Sequence, residues 1–134
     1  MADRPRIDSQ LVCEFVTQAH SDLARIKAML AQQPALVNAA WDWGAGDWET
    51  GLGAAAHMGQ RDIAQFLLAH GARMDIFSAA MLGHLAVVQA MLVVNPEARN
   101  SLGPHGIPLV KHAEAGGERA APVADYLKGL RAGR

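Results

Sequence analysis

The stretch from Thr50 to Asp75, TGLGAAAHMGQRDIAQFLLAHGARMD, limits what this chain can fold into more than any other. It encodes two short helices in succession. Thr50 suits an N-cap, because its side-chain oxygen can accept from an orphan N–H two or three residues on. Ala54, Ala55 and Ala56 form a slim, strongly helix-favouring segment. Gly59 stops that helix. Asp62 stands at the start of a second one, in which Ile63, Phe66 and Leu67 recur at i, i+3 and i+4. His70 and Gly71 then supply a cationic last turn and a glycine stop. A helix pair this short cannot bury its own apolar face, so it requires further copies stacked beside it.

Such copies are present. IFSAAMLGHLAVVQAML follows directly, GIPLVKHAEAGG comes later, and LARIKAML (Leu23 to Leu30) matches LAVVQAML (Leu85 to Leu92) at Leu, Ala, Ala, Met and Leu. The central stretch resembles an ankyrin repeat, whose pattern runs TPLHxAAxxGHxxVVxxLLxxGAD. Thr50, Leu52, Ala55, Ala56, Gly59, Ile63, Leu67, Leu68, Gly71 and Ala72 match it, while Gly51 and Gly53 replace its Pro and His. The next copy matches at Ala79, Ala80, Gly83, His84, Val87, Val88 and Leu92. The last matches at Pro108, Leu109, Ala113 and Gly116. Gly83 follows Gly59 by 24 residues and Gly116 follows Gly83 by 33, the ankyrin period. The resemblance implies an all-α fold: an ankyrin-like helical solenoid of about four helix pairs, with short or irregular finger loops. A single domain, 1–134, would hold repeats near 9–38, 50–73, 75–99 and 106–131.

Composition agrees. A chain of 134 residues is one domain with one continuous core. It is 51% hydrophobic but only 5% aromatic, so that core is built from Ala, Leu, Val and Met, as closely stacked helices require. A net charge of −1 with no basic run argues against nucleic acid or an anionic membrane as partner. No apolar run approaches membrane-spanning length, and MADRPRID lacks the apolar region of a signal peptide. Cys13, the single cysteine, reads as a small buried hydrophobe, and a cytoplasmic protein is expected.

The links between copies are irregular. Aligning Leu30 with Leu68 makes the first link about five residues longer than the ankyrin period. Its segment NAAWDWGAGDWE holds Trp41, Trp43 and Trp48, with Asp42, Asp47 and Glu49 among them. The resemblance makes this a hairpin-like finger: either a strut pinned by its indoles or a binding surface, since Trp is enriched at hot spots. The next finger is missing, because only Ala72, Arg73 and Met74 separate Gly71 from Asp75. That deletion would leave a notch between the Trp finger and the GPHG loop (Gly103 to Gly106) carrying His105. Ankyrin register directs the two residues before each pivot glycine into the concave face: His57 and Met58, Met81 and Leu82, Glu114 and Ala115, with Ala19 and His20 in the first copy. His112 stands near the helix seam, where it is either satisfied by a backbone carbonyl or faces the groove.

No catalytic motif of the GxSxG, P-loop, HExxH, CxxC or GxGxxG kind is present. His57 and His105 could converge with Asp47, Glu49 or Glu114, but no helix carries metal-ligand spacing, so neither metal nor cofactor is expected. The function implied is a non-catalytic binding module. Its concave groove would take a protein segment or a small apolar ligand on Trp41, Trp43, Trp48, His57, Met58, Met81, Leu82, His105 and Glu114. The alternative is a small-molecule site or small enzyme with His57 or His105 as acid/base.

Overall fold

A computed structural model describes residues 3–132; the first two residues of MADRPRID and the last two of the RAGR tail lie outside them. The described chain is mostly helical, with eight α-helices and one two-stranded sheet. The helices are α1 (Ser9–Gln18), α2 (Leu23–Gln32), α3 (Gly51–His57), α4 (Arg61–Ala69), α5 (Ile76–Leu82), α6 (Leu85–Val94), α7 (Leu109–Ala115) and α8 (Ala121–Ala132). Caps set their starts. Asp8, Asp22 and Thr50 accept from backbone N–H groups of α1, α2 and α3, and Asp75 forms a full capping box with Ser78 at α5. No helix of the described residues is long and apolar enough to cross a membrane.

Each odd-numbered helix packs on the even-numbered helix that follows it, and α1, α3, α5 and α7 also touch in that order. Ala54, Ala55, Ala56, Ala79 and Ala80 are fully buried along this row, so the backbones lie close together. That closeness fixes the turns. Gly59 and Gly83 adopt left-handed φ of 67° and 84°, and a Cβ on either would run into a backbone carbonyl, of Ala115 and Arg119 respectively. The third pivot differs from the register expectation. Gly116 is right-handed, and its missing Cβ makes room for the Met81 carbonyl, while the left-handed residue is Gly117, at φ 67°.

The concave apolar strip expected from register is corrected by burial. Met81 is 0% exposed and Leu82 is buried too, both within the core beneath α1 to α4. The reason is that α5 is flanked by α3 on one side and α7 on the other, so long apolar side chains at its end fill the seam. Of the strip's apolar members, Met58 and Ala115 are exposed, while Ala19, Met81 and Leu82 are buried.

The links follow the lengths expected from the sequence. After both α2 and α6 the chain turns through a residue at φ −139°, ψ 84° into a short 3-10 helix, Pro34–Asn38 and Pro96–Asn100. The first then enters a hairpin, β1 (Ala40–Asp42) with β2 (Trp48–Thr50), in the register Ala40↔Thr50, Trp41↔Glu49, Asp42↔Trp48. The second makes only a single bridge, Leu102↔Pro108. Between α4 and α5 there is no strand. Asn38 closes that short link, donating to the Gly71 carbonyl (3.0 Å) and accepting from the Arg73 N–H (2.9 Å).

Candidate functional site

The hairpin is built around Asp42, whose Oδ1 accepts from the N–H groups of Gly44 (2.8 Å) and Gly46 (3.0 Å). Gly44, Ala45 and Gly46 all have positive φ, and Trp43 N–H donates to the Asp47 carbonyl (2.9 Å). Opposed residues of an antiparallel pair share a face, so Trp41, Trp43, Asp47 and Glu49 point one way, and Asp42 and Trp48 the other. The first face turns inward. Trp41 packs against the core, and Glu49 is 1% exposed.

Around Glu49 stand three imidazoles drawn from separate elements. His20 lies just past α1, and its Nδ1–H donates to the carbonyls of Val16 (2.9 Å) and Thr17 (3.1 Å). His57 is the last residue of α3. His105 takes a left-handed φ of 62°, rare outside glycine. Asp47 holds it there, its two carboxylate oxygens accepting from the His105 backbone N–H and Nδ1–H, each at 2.8 Å. The Nε2 atoms then face Glu49: His20 at 3.3 Å and His105 at 3.4 Å from Oε1, and His57 at 2.9 Å from Oε2. Trp43 Nε1–H donates to Oε1 at 2.8 Å. Glu49 Oε2 and His57 Nε2 are buried 2.9 Å apart, and neither has another hydrogen-bond partner.

Burial pushes the Glu49 carboxyl pKa up, but the His20 and His57 rings and the Trp43 indole beside it outweigh burial and hold it at about 2. The His20 pKa is raised, chiefly by its bond to Glu49 and against the effect of burial. Glu49 is therefore a buried anion that exists because cationic or polar donors surround it. No Ser, Thr or Cys side chain bonds these imidazoles among the described residues, so no nucleophile–base pair is formed there.

No family model, curated protein or solved structure matches this chain. The geometry of its own side chains therefore carries the functional argument.

The outward face of the hairpin borders a groove of about 310 Å³, between the hairpin, the start of α5 and the loop 102–104. Trp48 (61% exposed) and Leu102 (64% exposed) line it with Thr50, Gly53 and Phe77, and Asp47 and Asp75 are its charged lining residues. Asp47 thus belongs to both the groove and the imidazole cluster.

Of the residues singled out in the sequence, Trp43, His57 and His105 meet at Glu49, whereas Trp48 lies in the groove and Trp41 against the core. Met58 is exposed at the end of α3. Met81 and Leu82 are core, as above. Glu114 does not join the cluster, pairing instead with Lys111 (3.1 Å) and Lys128 (3.0 Å). His112 is half satisfied by a backbone carbonyl: its Nδ1–H donates to Pro108 O at 3.0 Å, its Nε2 is buried without a partner, and its ring lies on Phe77. Glu49 entered the sequence reading only as one of three carboxylates on which His57 and His105 could converge, and His20 only through its register, so neither was among the expected binding residues. Ankyrin register put His20 on the concave face, but only the hairpin register turns Glu49 toward it.

Proposed function

We propose that this chain is an ankyrin-like stack of four helix pairs that binds an extended, basic segment of a partner protein in the groove between Trp48 and Leu102. The solenoid reading is supported by the ordered contacts of α1, α3, α5 and α7 and by the glycine turns that close the helix pairs. The single observation that carries the binding reading is the groove itself, an aromatic and aliphatic trough with two carboxylates and no cation in its lining. An exposed indole beside carboxylates suits a lysine or arginine side chain, by charge and by cation–π attraction. The backbone adds a second element. The Trp43 N–H bond to Asp47 makes Trp41 and Glu49 the next hydrogen-bonded pair, so Trp48 directs its N–H and C=O away from β1. An extended segment could therefore bond to that edge while its side chains enter the trough. A cytoplasmic setting belongs to the same proposal, supported by the lone Cys13.

The probe is a short peptide of alternating valine and arginine, titrated into the full chain and followed by tryptophan fluorescence. Trp48→Ala should weaken binding by about 2 kcal/mol or more, the hot-spot range, with little change in melting temperature. Equal binding of the valine–glutamate counterpart, or no loss with Trp48→Ala, would refute the proposal.

A further inference from the structure

Four side chains from four places in the chain bring one donor atom each to a common point: Nε2 of His20, His57 and His105 and a carboxylate oxygen of Glu49, all within 4.8 Å of one another. The tautomers are fixed from outside. Val16 and Thr17 carbonyls can only accept, so His20 carries its proton on Nδ1, and the Asp47 carboxylate imposes the same on His105. In their neutral forms both rings then aim an Nε2 lone pair at Glu49 Oε1. Acceptor faces acceptor, an arrangement that needs a positive charge between them, either a second proton on a ring or a metal ion. At the floor of the cluster, Glu49 Oε2 and His57 Nε2 are buried with no hydrogen-bond partner beyond each other. Such orphans are costly unless something else satisfies them.

We propose that this cluster is a binding site for one divalent first-row transition ion of the zinc class, held by His20, Glu49, His57 and His105. Spacing supports it. A tetrahedral ion with bonds of about 2.0–2.1 Å holds its ligands roughly 3.3 Å apart, and Oε1 of Glu49 lies 3.3 and 3.4 Å from the Nε2 atoms of His20 and His105. Chemistry supports it as well. Three imidazoles and one carboxylate without thiolate suit zinc, nickel or cobalt rather than calcium or magnesium, which prefer all-oxygen shells.

The outer shell has the form that metal sites use to orient their ligands. His105 donates its far N–H to a carboxylate, His20 donates its own to backbone carbonyls, and Glu49 receives the Trp43 indole N–H. The left-handed backbone at His105 is a local cost that its double bond to Asp47 sustains, and its effect is to aim Nε2 at Glu49. With four protein ligands the ion would be a structural clasp rather than a reaction centre. It would fasten the end of α1, the hairpin, α3 and the GPHG loop together, and through Asp47 it would brace one wall of the groove.

The test uses the full chain, stripped with a chelator and titrated by calorimetry with Zn²⁺ and, for its visible absorption, Co²⁺. One equivalent should bind, with the intense cobalt bands of four-coordination, and zinc should displace cobalt and raise the melting temperature. Asp47→Asn removes only an outer-shell carboxylate and should weaken zinc binding about 10–100-fold. His105→Asn, which tolerates the left-handed backbone, should weaken it further, and His70→Ala, outside the cluster, should leave it unchanged. His57→Ala should abolish the cobalt bands; should that variant fail to fold, the exposed-loop variant His105→Asn decides. A wild-type chain that binds no ion, or an affinity unmoved by His105→Asn in a protein with intact circular dichroism, would overturn the proposal. Neither result depends on peptide binding in the groove.

Discussion

His112 shows how one side chain can make stability depend on pH. Its ring is buried between α7 and Phe77, its Nδ1–H is spent on Pro108, and its Nε2 has no partner. Burial disfavours the imidazolium and lowers the pKa from 6.5, against the opposing pull of the Pro108 carbonyl. The unfolded chain therefore binds this proton more readily than the folded one. Stability from neutral His112 is fully present above about pH 6.5 and is lost as pH falls below that value toward the depressed folded pKa. His112→Asn, which does not titrate, should reduce the drop in melting temperature between pH 7.5 and pH 5.5. An identical drop in both proteins would show that His112 takes up its proton as readily folded as unfolded. That a carbonyl takes one ring nitrogen was one of the two readings its place at the seam allowed. The Phe77 ring against it was not legible there, because the two are far apart in sequence.

At the scale of elements, the helix-to-helix turns are where local chemistry and packing coincide. Gly59→Val forces a β-branched side chain into left-handed backbone and into the Ala115 carbonyl. Strain alone costs about 1–3 kcal/mol, and crowding adds to it. Gly129 is the contrast, an exposed position within α8 where an added methyl would meet nothing within 4 Å. Gly129→Ala should stabilise by about 0.5–1 kcal/mol through helix propensity. Urea unfolding of the two variants checks both signs; a neutral Gly59→Val would mean that the turn relaxes. The hairpin repeats the lesson in another element. Its glycines and Asp42 announce the turn in the sequence, but which indole faces inward follows from strand register. Trp41, Trp43 and Trp48 consequently have three different fates: against the core, in the cluster and in the groove.

For the molecule as a whole, the central position of α5 governs what is buried. Met81→Glu would place a charge in the seam between α3 and α7, where Met81 is 0% exposed. The expected loss exceeds about 4 kcal/mol, enough to unfold a small domain of ordinary stability. A circular dichroism melt close to that of the native chain would instead show that the end of α5 opens to solvent. Ankyrin register treats Met81 as a groove residue because it counts positions within one copy. It cannot count the neighbours that flank α5.

Whatever acts over a few residues could be worked out from the amino-acid order. Thr50 caps α3, Gly59 ends it, and a three-residue gap after Gly71 leaves no room for a strand. These follow from hydrogen-bonding reach and backbone sterics, which operate on near neighbours. It took the packed chain to bring His20, Glu49, His57 and His105 to one point and to keep Glu114 away from it. Those four lie on four different elements, and their meeting depends on how close alanine-lined helices approach and on which way a hairpin faces. No spacing within one helix or strand records either.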